Sequence, residues 1–354
     1  MTVWRLTSAL VLAWVASTSA FADVAHPPKV PEVKGKDGVK SYLLTMIEQM
    51  NTASADLKEG ASEYERLVGA NGGSPTAAAQ LKPAEVAAVI NRLRDAYQRI
   101  DSFGYEYVEG IVAGVPSLMK YDIELDAGVP LKKSELQDNV APVVIKAGEI
   151  TIDREGSLNN FLIESTVFGT NPRFTSGTAT LPGFDKPVGL PNPKVVSALA
   201  DYAVDAYARL RGAANAWQPT DQDCFHILAN MTPTLADYFD DWKESKKYGF
   251  ATGGRFVAVS RISDMRGIMS STRLAWLAMA DGVKTRDAAL SEKITHGYDQ
   301  VLKFIDTIES RDVKKPLSME TIDALGTQAK ERADKLTVQA AQAAAVMGLD
   351  VNRK

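Results

Sequence analysis

Apolar residues recur at helical spacing along most of the chain. Between Ser41 and Leu67 they fall at Leu43, Met46, Ile47, Met50, Leu57, Tyr64 and Leu67 with charges between them, which predicts an amphipathic helix. Asn71-Gly72-Gly73-Ser74-Pro75 breaks it. A second stripe, Val86, Ile90, Leu93, Tyr97, Ile100, Gly104, Tyr107 and Ile111, advances in alternate steps of four and three and predicts one continuous helix from Pro83 to Ala113.

The period then weakens. Gly114-Val115-Pro116 ends the second helix, and no strong helical stripe returns before Pro193. Within this stretch Val140 to Ile152 carries β-branched runs suited to a hairpin, Leu158 to Phe168 suits a short helix, and Asn171 to Pro193 is crowded with Gly and Pro. A connection this long is more often functional or domain-bridging than idle. Helices resume at Val195 to Trp217, along Phe225, Leu228, Thr232, Leu235, Phe239 and Trp242 with a bend at Pro233, along Ile262, Met265, Met269, Thr272, Trp276 and Met279, and over 287–310 and 318–347. The fold class expected is therefore mainly α. Two antiparallel helix bundles, 40–113 and 194–347, are joined by a long irregular, partly β connection over 114–193, with a tail at 348–354.

The ends add a location. Arg5, the apolar stretch Leu6 to Ala16 and the small-x-small step Ala20-Phe21-Ala22 predict an export signal over 1–22, cut after Ala22. Its apolar stretch falls well short of the roughly 20 residues of a membrane-spanning helix. A leader rich in Pro and Lys follows over 23–39, no transmembrane segment is expected in the mature chain, and a cleaved signal implies the periplasm. The formal net charge of −4 and the lack of a basic cluster interleaved with aromatics argue against nucleic acid as a partner. Cys224 is the only cysteine, so no internal disulfide forms and stability must come from helix packing.

Candidate chemistry is concentrated in carboxylates. Glu106 and Glu109 lie three residues apart, about 60° apart around an α-helix, close enough to share one cation. Asp122, Glu124 and Asp126 alternate, which would put all three on one side of an extended segment. Glu164 stands among apolar residues, and Asp237, Asp240 and Asp241 cluster beside Trp242. Such oxygen donors suit iron, manganese, calcium or magnesium, although each cluster taken alone also reads as a solvated acidic face. No serine-nucleophile elbow, phosphate loop, His-Glu-x-x-His or Cys-x-x-Cys occurs, so catalytic residues are not indicated.

The run Tyr105-Glu106-Tyr107-Val108-Glu109-Gly110-Ile111-Val112-Ala113-Gly114-Val115-Pro116-Ser117-Leu118, followed by Tyr121-Asp122 and Leu125-Asp126-Ala127-Gly128, resembles the imelysin-like proteins of the EfeO and EfeM type. Trp217-Gln218-Pro219-Thr220, Met231-Thr232-Pro233-Thr234, Tyr238-Phe239-Asp240-Asp241-Trp242-Lys243 and Ser260-Arg261-Ile262-Ser263-Asp264-Met265 extend the likeness over about residues 40 to 347. The resemblance implies two helical bundles facing across a groove, a periplasmic location, and iron acquisition with a membrane iron permease or another periplasmic protein as partner. The family signature Gly-x-His-x-x-Glu falls on Gly104, Glu106 and Glu109, with Glu106 replacing the histidine. That exchange makes the site harder and more anionic, which favours oxygen-bound iron over zinc and peptidase chemistry. The expected ligands are Glu106 and Glu109, assisted by Asp122, Asp126, Glu164 or Asp240. Two alternatives stay open: an imelysin-type metallopeptidase with Glu109 as general base, and a metal-free module that binds a peptide or protein.

Overall fold

In a computed structural model of the chain, which describes residues 28–126, 144–153, 158–239, 261–315 and 317–350, the first stripe forms one long helix, α1 (Gly35–Ala70). It starts inside the expected leader, because Val39 is already fully buried and extends the apolar face by one more turn. The expected export signal at 1–22 and the tail beyond 350 lie outside the described residues. Ser74 then caps α2 (Pro75–Leu81), its Oγ accepting the Ala77 N–H at 3.2 Å.

The helix expected from 83 to 113 is not uniform. It comprises α3 (Pro83–Ile100), a π-helical turn over Asp101–Tyr105, and α4 (Glu106–Gly114). The acidic run after it is not extended either: α5 (Met119–Asp126) is helical, so Asp122 and Asp126 are one turn apart while Glu124 points elsewhere.

The middle of the chain is built from small pieces. Strands β1 (Val144–Ala147) and β2 (Ile150–Asp153) pair antiparallel, Val144 opposite Asp153 and Ala147 opposite Ile150, around a turn in which Gly148 takes a φ of 64°. A second π-helical segment, Leu158–Glu164, leads into the single turn α6 (Ser165–Val167). Strands β3 (Thr175–Ala179) and β4 (Val188–Pro191) form another antiparallel pair.

Asn192 caps α7 (Pro193–Ala216), and Thr220 with Asp223 forms a reciprocal capping box on α8 (Asp221–Met231). The stripe from Phe225 bends at Thr232-Pro233-Thr234 before α9 (235–239). Helices α10 (Arg261–Lys284), α11 (Ala288–Lys314) and α12 (Met319–Met347) complete the described chain. The molecule is thus mainly helical, with two small sheets among the described residues. No described helix is long and apolar enough to cross a membrane.

Helix α1 packs on α3 and α7, while α10 packs on α4, α8 and α11, and α11 on α12. The π turn at 101–105 touches α1, α3, α4 and α10, so it sits where these groups meet. Two glycines let α4 and α10 cross at backbone distance. A Cβ on Gly110 would come within 2.5 Å of Ser271 Oγ, and one on Gly267 within 2.8 Å of the Glu106 carbonyl. The second contact presses the Glu106 backbone directly against α10.

Gly110→Ala and Gly267→Ala should therefore each destabilise the protein by about 1–3 kcal/mol through overpacking. Gly212→Ala, on α7 where an added Cβ would meet nothing within 4 Å, should instead gain about 0.5–1 kcal/mol from helix propensity. Urea unfolding midpoints compare the three variants; equal shifts would refute the close crossing.

Candidate metal centre

Among the described residues six carboxylates are almost wholly withdrawn from water: Asp101, Glu106, Glu109, Asp126, Glu164 and Asp264. Their arrangement begins with the π turn. The Glu106 N–H donates to the Asp101 carbonyl, an i to i+5 bond. In a regular α-helix residues five apart point about 140° away from each other. The wider π turn removes most of that angle and brings the two side chains to one side. Helix α5 then delivers Asp126, and ligand oxygens of Asp101, Glu106 and Asp126 all lie within 4.8 Å of one another.

Neutral groups hold this cluster in place. The buried Tyr97 hydroxyl donates to Asp101 Oδ2 at 2.8 Å and lies 3.2 Å from both Asn160 Oδ1 and Glu164 Oε2. Asn160 Nδ2 donates to Asp126 Oδ1. One phenol thus ties α3 to the second π segment, and that segment reaches on to α5. Next along it, fully buried Asn159 accepts from the Tyr207 hydroxyl at 2.9 Å through Oδ1, while its Nδ2 finds no acceptor among the described residues. Tyr105 donates to Asp122 Oδ1 at 2.8 Å, and Tyr238 donates to Glu109 Oε1.

Burial holds the Glu106 carboxyl well above the ordinary carboxylate range, and the charges of Asp264, Asp126, Glu109 and Asp101 push it further in the same direction. Burial likewise raises the phenols of Tyr97 and Tyr105, with Asp101 and Glu164 adding to the first and Asp122 and Glu109 to the second. These tyrosines stay protonated as hydrogen-bond donors to the carboxylates.

The structure redistributes the expected ligands. Glu106 and Asp126 come together, but the partner of Glu106 in the triad is Asp101, not Glu109. Glu109 is engaged by Tyr238 and remains near enough to add its charge to the field at Glu106. Glu164 joins through Tyr97, and Asp122 is held by Tyr105. Glu124 leaves the group altogether, since it pairs with Arg209 and Tyr202. Asp240 lies outside the described residues. Asp101 and Asp264 are the acids that sequence reasoning missed. An assumed α period hides Asp101, and Asp264 sits far along the chain from the triad, signalled only by an acid within the α10 stripe.

No protein-family model matches the chain, and no curated protein matches it.

The raised Glu106 carboxyl predicts a pH dependence. The folded state keeps this proton to higher pH than the unfolded chain, whose glutamate titrates near 4.5, so the group costs stability as pH rises above that value. In chelator-treated protein Glu106→Gln should melt higher than wild type at neutral pH, and the two melting temperatures should converge below the glutamate value. A Glu106→Gln variant less stable than wild type at neutral pH would contradict this placement of the charge.

Proposed function

We propose that the protein binds a hard metal cation, with iron as its cargo, through Asp101, Glu106 and Asp126. The observation that carries this reading is three buried carboxylates whose oxygens converge within 4.8 Å. Like charges at that spacing repel each other in a poorly solvated interior, and a cation bound to all three converts the repulsion into attraction. The donor set fits a hard cation: it is all oxygen, and Tyr97 and Asn160 orient Asp101 and Asp126 as outer partners of a metal site do. Asn159, whose buried amide lacks an acceptor among the described residues, adds a polar group on the same π segment.

The same donors fit zinc peptidase chemistry poorly. His226 lies on α8 against Gln222 and His296 on α11 against Gln300, and neither belongs to the triad. Uptake and delivery of iron in the periplasm, with a membrane permease or another periplasmic protein receiving it, is supported by the motif resemblance and by the export signal read at 1–22.

Mn(II), followed by electron paramagnetic resonance, and Fe(II) under anaerobic conditions are suitable probes. Asp101→Asn, Glu106→Gln and Asp126→Asn should each weaken binding by more than about 100-fold, whereas Tyr97→Phe, an outer partner, should cost roughly 10- to 100-fold. Glu124→Gln, whose carboxylate pairs with Arg209, should bind like wild type. Wild-type affinity in the three triad variants would remove the assignment.

A further inference from the structure

A groove between α11 and α12 shares no residue with the acid cluster. This groove has a volume of about 680 Å³ and is lined by Lys293, His296, Arg332 and Lys335, with Glu331 as the one carboxylate and three glutamines, Gln300, Gln328 and Gln339, along its walls. Several other cations are matched to carboxylates: Arg92 with Glu59 and Glu63, Arg99 with Asp56 and Asp95, Arg266 with Asp306 and Glu309, Arg273 with Asp299. On the neighbouring turn of α12, Lys330 is matched to Asp334. Lys293, Arg332 and Lys335 form no ion pair with any described residue, and Glu331 does not neutralise them.

Arg332 is also held in position. Its guanidinium carbon lies 4.7 Å from the centre of the Phe304 ring, and its buried Nε–H has no acceptor among the described residues. A guanidinium held over an aromatic face can still offer its terminal amino groups to an oxyanion. Gly297 shapes the groove: a Cβ there would come within 2.5 Å of the Leu336 side chain, so its absence lets α11 lie close against α12 beneath the charged side chains.

We propose that the α11–α12 groove binds a phosphoryl oxyanion, with Arg332 as the fork, Lys293 and Lys335 as point charges and the glutamine amides as neutral donors. Phosphoryl groups match this set because they present several acceptor oxygens and more than one negative charge, which a planar fork and flanking ammonium groups recognise together. The ligand is either a soluble phosphate compound or the headgroup of an anionic phospholipid.

The test uses the full chain after chelator treatment, titrated calorimetrically with inorganic pyrophosphate at low ionic strength. Wild type should bind, and the Arg332→Gln, Lys335→Gln double variant should bind about tenfold more weakly or worse with its helical circular dichroism unchanged. Lys330→Gln, which removes one positive charge from the same helix outside the groove, should bind like wild type. In a second arm, vesicles of phosphatidylglycerol are sedimented with the protein. Capture that depends on Arg332 and Lys335 identifies a lipid headgroup, and pyrophosphate binding without capture identifies a soluble ligand. Absence of binding to both probes, or equal losses in Lys330→Gln and the double variant, would overturn the proposal.

Discussion

Carboxylates kept out of water beside one another impose a condition on the rest of the molecule. Each charged oxygen brought into the interior loses hydration, and each neighbour of like sign adds to the cost. Glu106 feels both effects, being fully buried and facing the charges of Asp264, Asp126, Glu109 and Asp101. The surroundings answer with neutral donors. Tyr97, Tyr105, Tyr238 and Asn160 each direct a proton at a carboxylate oxygen, and burial keeps the Tyr97 and Tyr105 phenols protonated so that they can do so. The Gly110 and Gly267 crossing seats the Glu106 backbone against α10 and leaves no space there for relaxation.

Helix geometry decides which acids meet. Both π segments contribute to the cluster: Asp101 opens the first and Glu106 follows it, while the second carries Asn159, Asn160 and Glu164. A π turn inserts a residue into the helical register, so it can aim side chains that an α-helix would separate, and such turns are frequent at functional sites. The stability given up in a wider, less well packed turn is retained here by Tyr97, which spans from α3 to the second π segment.

Much of the helical layout is legible in the sequence, because the stripes at 41–67, 83–113 and 262–279 follow from residue spacing and tertiary packing agrees with them. The local exceptions are not. The stripe from Val86 to Ile111 steps evenly by four and three, and nothing in it marks the π turn at 101–105 that pairs Asp101 with Glu106. The alternation at Asp122, Glu124 and Asp126 suggests a strand, but α5 is helical and sends Glu124 to Arg209 instead. Glu164 stands out as a charge among apolar residues, and burial explains that placement through its contact with Tyr97. Asp264 requires knowledge of which helix packs on α4, a long-range fact that one sequence does not carry.

Whether Asp101, Glu106 and Asp126 hold one cation between them is tested most directly by an anomalous difference map from crystals soaked with Mn(II). One strong peak bonded to oxygens of all three residues is the expected result. A peak bonded elsewhere, or none at a saturating cation concentration, would contradict it.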